Sequence, residues 1–165
     1  MVVLGIDTSL RSTGVGLVEA SGTRLRALAC GTLKTAAREP HTACLRNIHA
    51  GLTELIEEHQ PQAAAIEGVF FSKNVKTAVI LGEARGAALA ACAARGLPVF
   101  EYAPRRVKQA LVGYGQATKE QVRSMVVRLL ALREEPQEDA GDALALAVCH
   151  AQSSGRPTGR EAKEI

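Results

Sequence analysis

The chain has 165 residues, 47% hydrophobic and 22% charged, which suits one domain with one core at roughly 150 residues per domain and excludes a fibrous or wholly disordered protein. A chain of this size buries about 68–70% of its unfolded surface and needs no disulfide or structural metal; its four cysteines (Cys30, Cys44, Cys92, Cys149) form no C-x-x-C pair and read as reduced, mostly buried small hydrophobes. The net charge is only +3, but residues 71–128 hold ten Lys/Arg against three acids, an excess of +7 that leaves −4 elsewhere, as expected for a phosphate-binding face beside an acidic, cation-binding pocket or simply for a solvated basic helix surface.

Residues 2–8 form an apolar, β-branched run that predicts a strand buried on both faces and ending at Asp7. Turn formers Ser9 and Ser12 follow, then strands over 13–18 and 24–35 joined at Ser21-Gly22, so three antiparallel strands open the fold. Pro40 and Thr42 introduce a helix with apolar positions Leu45, Ile48, Leu52, Leu55 and Ile56, stopping before Pro61. Residues 63–69 predict a strand carrying Glu67 near its end, and 74–95 a long, small-residue-rich, buried helix. A short strand (98–102), a basic helix opened by Pro104, a helix capped by Thr118 with Gln121 in the capping-box position, and a last helix from Pro136 to about Gln152 complete the order. This predicts an α/β fold, a mixed sheet with helices on both faces, over residues 1–152, with a flexible polar tail at 153–165.

The longest apolar stretches, such as 87–94, fall well short of the roughly 20 residues of a membrane span. The N-terminus has no basic region or small-residue cleavage site before Asp7, so a cytoplasmic location is expected.

Ligands of open sheets gather beyond the carboxyl ends of the strands, where Asp7 and Glu67 stand, each emerging from an apolar stretch. A buried carboxylate must be neutralised, paired or coordinated. Asp139 and Asp142, three apart on the last helix, share a face. Four such acids can supply the hard oxygen ligands of Mg²⁺ or Mn²⁺, although Asp139 and Asp142 also fit first-turn acids favoured by the helix dipole.

Five ordered blocks carry a family likeness: Gly5-Ile6-Asp7 with Gly14 and Gly16; Ala65-Ile66-Glu67 with Val69-Phe70 and Lys73-Asn74; Leu81-Gly82-x-Ala84-Arg85-Gly86; Val107-Lys108-Gln109; and Asp139-Ala140-x-Asp142-Ala143-Leu144-Ala145. From about residue 2 to 152 the sequence resembles the bacterial Holliday junction resolvases of the RuvC type. The resemblance implies an RNase H-like fold, a homodimer, and Mg²⁺-dependent nicking of two opposed strands of a four-way DNA junction in recombination and repair, with the RuvA–RuvB branch-migration complex as a partner. The family's four acidic catalytic and metal-binding positions fall on Asp7, Glu67, Asp139 and Asp142, its junction-contacting aromatic on Phe70, and its functional lysines on Lys108 and Lys119. Two metals per subunit are implied, Mn²⁺ substituting for Mg²⁺. The chain departs from the family pattern at Thr8-Ser9, where Pro-Gly is common, and at Gly68, where a polar residue often stands.

In such a reaction one divalent ion lowers the pKa of the attacking water and a second, about 3.5–4 Å away, stabilises the leaving oxygen. Asp7 is the expected bridge, and Lys119 would orient water or offset phosphate charge, if it is not a surface lysine. An apolar wedge at Phe70 would hold a base step open; Lys73, Arg105, Arg106 and Lys108 would contact phosphates, and Tyr114, between Gly113 and Gly115, would stack on DNA or stand idle in its loop. His41, Cys44 and His49 imitate a soft-metal site but lack a fourth ligand, and His150 reads as a helix-end histidine or a support for the acids. Two other functions compete. A non-catalytic junction-binding protein of the same fold would have lost a metal ligand, and an ATPase-like domain would need a second similar domain.

Overall fold

The computed structural model describes residues 1–68, 74–153 and 163–165. A six-stranded sheet runs in the order β3-β2-β1-β4-β5-β6. Its strands are β1 (Val2–Asp7), β2 (Ser12–Ser21), β3 (Arg24–Lys34), β4 (Ala63–Glu67), β5 (Val99–Tyr102) and β6 (Lys163–Glu164). β1, β2 and β3 are antiparallel neighbours, while β1–β4 and β4–β5 are parallel. The helices are α1 (His41–His59), α2 (Val75–Ala94), α3 (Pro104–Val112), α4 (Lys119–Leu129) and α5 (Glu138–Ser153). The expected mixed sheet with helices on both faces is therefore what forms.

Successive strand side chains point to opposite faces, and the two cores follow this alternation. Leu4, Ile6, Leu17, Ala64 and Ile66 pack with α1 and α2. Val3, Val18, Ala65 and Tyr102 pack with α3, α4 and α5. Gly5 and Gly14 share the second face, and a side chain on either would overlap the backbone of Ala143 or Asp139. α5 thus lies directly on the strand backbones. Asp7 is opposite Gly14 in the register, and Glu67 is two residues beyond Ala65, so all the strand-end acids face the α5 side.

Local signals act where they were read. Thr118 accepts from the Gln121 amide at 3.3 Å and the Gln121 side chain accepts from the Thr118 amide at 2.9 Å, a complete capping box.

Three expectations need correction. α2 buries only Ala84, Ala88, Ala91 and Cys92 and leaves Val75, Val79 and Leu81 exposed; its small residues permit close packing on one side without requiring it all round. Taken whole, α2 is also long and apolar enough to cross a membrane, which unbroken apolar stretches did not reveal because Glu83 and Arg85 interrupt it; those charges meet His41 and Glu101 within the fold. Finally, the tail is not flexible to its end. Lys163–Glu164 pair antiparallel with β5 and the Ile165 amide donates to Val99; such pairing uses backbone groups, so polar composition does not forbid it.

Candidate active site

A cavity of about 350 Å³ opens at the carboxyl ends of β1 and β4, lined by Asp7, Glu67, Asp142, Lys108 and Lys119 on a floor that includes Val107, Val122 and Leu146. β1 delivers Asp7, β4 delivers Glu67, and the first turns of α5 deliver Asp142. Lys108 comes from the middle of α3 and Lys119 from the first residue of α4.

Burial is the chief reason that the Asp7 carboxyl is pushed up to about 7; Asp142, Glu67 and Asp139 raise it further and Lys119 opposes them. Glu67, open at the mouth but shielded on its inner side, is raised by desolvation and then by Asp142. Asp142 is raised by desolvation, with Lys119 working against it. The ammonium of Lys119 is 3.2 Å from Glu138 and 3.6 Å from Asp142, and those partners hold its own pKa up, the Glu138 hydrogen bond most.

Asp139 faces the same end of the sheet but turns an oxygen to Ser12, whose hydroxyl donates to Oδ2 at 2.5 Å. The loop after Asp7 is closed by Thr13: its hydroxyl donates to the Ser9 carbonyl at 2.6 Å and accepts from the Ser9 amide at 3.4 Å. The Thr8-Ser9 departure is thereby accommodated by a hydroxyl one turn away.

The structure brings Lys108 and Lys119 to the acids but not the other cations. Arg105 is exposed, its stem over Gly115. Arg106 lies toward Tyr102 and Cys149; burial raises the pKa of both, and the Arg106 charge offsets only part of that rise. Tyr114 is exposed and donates to Gln116 at 3.3 Å. Phe70 and Lys73 lie outside the described residues. Part of the basic excess is neutralised within the fold: Arg123 meets Glu138 at 2.9 Å and Glu135 at 3.8 Å, Arg85 meets Glu101, and Arg95 meets Glu57.

His150 is a core residue. It is buried, 2.8 Å through Nδ1 from the Tyr102 hydroxyl and with its ring centroid 4.6 Å from that of Phe100, and desolvation lowers its pKa. His41 pairs with Glu83 at 2.9 Å while Cys44 is buried, so these residues do not assemble with His49 into a soft-metal site.

Ser12, Glu138 and Arg85 were missed from sequence. Ser12 read as a turn former, and Glu138 stood outside every motif. Arg85 stood within a recognised block that pointed to no role.

Every donor in the cluster is a hard oxygen, and the cavity sets three carboxylates against the ammonium groups of Lys108 and Lys119, the latter shared with Glu138. That charge imbalance fits a divalent cation of the Mg²⁺ or Mn²⁺ type. Among the described residues, no three acidic, histidine or cysteine side chains converge to cage one ion. Mg²⁺ keeps several waters and is commonly held by one or two carboxylates plus substrate phosphate oxygens.

The family model for crossover junction endodeoxyribonuclease RuvC matches residues 3–150. The chain belongs to the RuvC family. A RuvC from Moorella thermoacetica is 49% identical over 166 residues, covering 100% of this chain and 98% of that one. The structure of T. thermophilus RuvC in complex with Holliday junction substrate superposes with a TM-score of 0.92 at 38% identity, covering 100% of this chain and 99% of the other. The yeast mitochondrial Holliday junction resolvase, at 11% identity and a TM-score of 0.65 over 91% of this chain and 78% of that one, shares the fold alone. The RNase H-like α/β architecture expected of a RuvC is thus the one this chain adopts.

Proposed function

We propose that this chain resolves four-way DNA junctions by hydrolysing phosphodiester bonds, one in each of two opposed strands, with Asp7, Glu67, Asp142 and Asp139 holding divalent cations, Mg²⁺ or Mn²⁺. The observation that carries the reading is the convergence of Asp7, Glu67 and Asp142 with Lys108 and Lys119 on one cavity, in a chain similar over its whole length to a RuvC described in complex with a Holliday junction substrate. The cations, two per subunit, would supply an activated water and charge relief at the scissile phosphate.

The protein's own groups divide the remaining work. Asp7, at the end of β1 and close to all three other acids, would help to hold the cations. Ser12 holds one oxygen of Asp139 and so limits how that carboxylate turns. Lys119 offsets acid and phosphate charge from the cavity wall, and Lys108 offers an ammonium to a backbone phosphate. Arg105, Arg106 and Tyr114 extend the DNA surface along α3 and the loop after it. The family resemblance alone carries the roles of Phe70 as wedge and Lys73 as phosphate contact.

Two opposed cuts in a two-fold junction call for two sites related by symmetry. The face of α2 with Val75 at 76% and Val79 at 54% exposure, and with open space over Gly82 and Gly86, suits a second copy of the chain. The proposed unit is residues 1–152 as nuclease, acting in the cytoplasm with the RuvA–RuvB complex. Incubation of a synthetic four-way junction with the protein, with and without Mg²⁺, tests the reading: symmetric nicks only with metal support it, and metal-independent or absent nicking overturns it.

A further inference from the structure

Strand pairing holds Glu67 on one side only. β4 is registered on β1 as far as Ile6↔Ile66, one residue short of Glu67. On the other side Glu67 lies opposite Tyr102, and the Gly68 amide donates to the Tyr102 carbonyl at 2.8 Å. The Glu67 carbonyl takes its donor from outside the sheet: Arg85 Nη1 of α2, at 2.5 Å. The second nitrogen, Nη2, donates to Glu101 Oε2 on β5, also at 2.5 Å. The Arg85 side chain is only 11% exposed. Gly68 leaves the room that Glu101 occupies, since a side chain there would come within 3.3 Å of Oε1.

A buried guanidinium is retained at a desolvation cost that good geometry must offset, and its planar fork fixes the two oxygens it serves relative to one another. Here those oxygens are the main chain of a site acid and a carboxylate on the next strand. We propose that Arg85 is a positioning residue for the reaction: it clamps the end of β4 so that the Glu67 carboxylate enters the cavity in one orientation, and it ties that orientation to α2. The proposal rests on Glu67 acting on the cation and phosphate. Arg85 acts through the backbone, because its Nη1 meets the Glu67 main-chain carbonyl and its Nη2 is taken up by the Glu101 carboxylate.

The test compares Arg85→Met, Arg85→Lys, Glu101→Gln and Glu67→Gln with the wild type, by Mn²⁺ titration calorimetry without DNA and by the Mn²⁺ concentration giving half-maximal junction cleavage. Groups that orient metal ligands typically change metal affinity 10–100-fold when removed. Arg85→Met is expected to weaken Mn²⁺ binding and raise the half-maximal concentration about 10-fold, with metal-free junction affinity within about twofold. Arg85→Lys keeps one donor and should recover to about threefold, while Glu101→Gln keeps an acceptor for Nη2 and stays within about twofold. Wild-type metal dependence in Arg85→Met, with Glu67→Gln inactive, overturns the proposal and leaves the junction-cleaving reading intact. Cleavage at the wild-type rate by Glu67→Gln overturns both. If Arg85→Met does not fold, Arg85→Lys decides, and wild-type metal binding in it counts against the clamp.

Discussion

Two helices of this molecule are built from similar small apolar residues and occupy opposite situations. α5 is buried from residue 143 to 150, whereas α2 buries four residues and leaves valines and a leucine in solvent. The difference lies in the opposing surface. α5 meets Gly5, Gly14 and Gly16, where a side chain would strike helix backbone or Leu144, and α3 and α4 pack on its other side. Gly82 and Gly86 of α2 face open space. Small residues on a helix mark where something approaches closely; the complementary gap on the other element says whether that partner is within the chain.

The tight seat of α5 on the sheet brings Asp142 to the strand-end acid Glu67. Asp142→Asn or Glu67→Gln should reduce junction cleavage by about 10³-fold or more, roughly 4 kcal/mol of barrier, with binding retained in a gel-shift assay because phosphate contacts dominate affinity.

A bulky residue under each helix sharpens the contrast. Gly14→Val must push α5 off β2 and should lower the free energy of unfolding by about 3 kcal/mol or more in a urea titration. Gly86→Leu meets nothing within its own subunit, so subunit stability should change by no more than about 0.5 kcal/mol. Sedimentation velocity should instead show that assembly has shifted toward monomer, with single nicks replacing paired ones.

The acid cluster also predicts how stability varies with pH in metal-free protein. Folding lifts the Asp7 carboxyl from 3.8 to about 7, so the folded state binds the proton more tightly. Its contribution is full below about pH 4, declines as pH rises through the window from 3.8 to about 7, and is lost above it, a change on the order of 4 kcal/mol. Asp7→Asn should flatten that part of the profile and raise the thermal midpoint at pH 8; added Mg²⁺ should stabilise only the wild type.

DNA affinity should change less than the cleavage rate does. Arg105→Glu with Lys108→Glu should weaken junction binding about tenfold in low salt and flatten the log–log salt slope. An unchanged slope would place the DNA face elsewhere, since Arg85, Arg95 and Arg123 are already paired within the fold.

Elements whose signals are local were legible in the sequence. The apolar run into Asp7, the Thr118–Gln121 cap and the paired acids of α5 each sit within a few residues, and each stands where its pattern placed it. What pattern could not show is what distance in sequence hides. Ser12 and Asp139 are 127 positions apart, and Arg85 reaches a backbone carbonyl 18 residues away that no side-chain rule anticipates. The exposure of α2 was illegible for a related reason, since burial depends on an opposing surface. β6 escaped because strand addition at an edge uses main-chain groups that every residue has.

In the proposed reaction, junction cleavage runs through a carboxylate cluster centred on Asp7. Its most direct test is the rate at which purified Asp7→Asn nicks a synthetic four-way junction in Mg²⁺, beside the wild type at equal junction occupancy. Nicking is expected to fall by about 10³-fold or more while the junction stays bound. Cleavage by Asp7→Asn at the wild-type rate would contradict it.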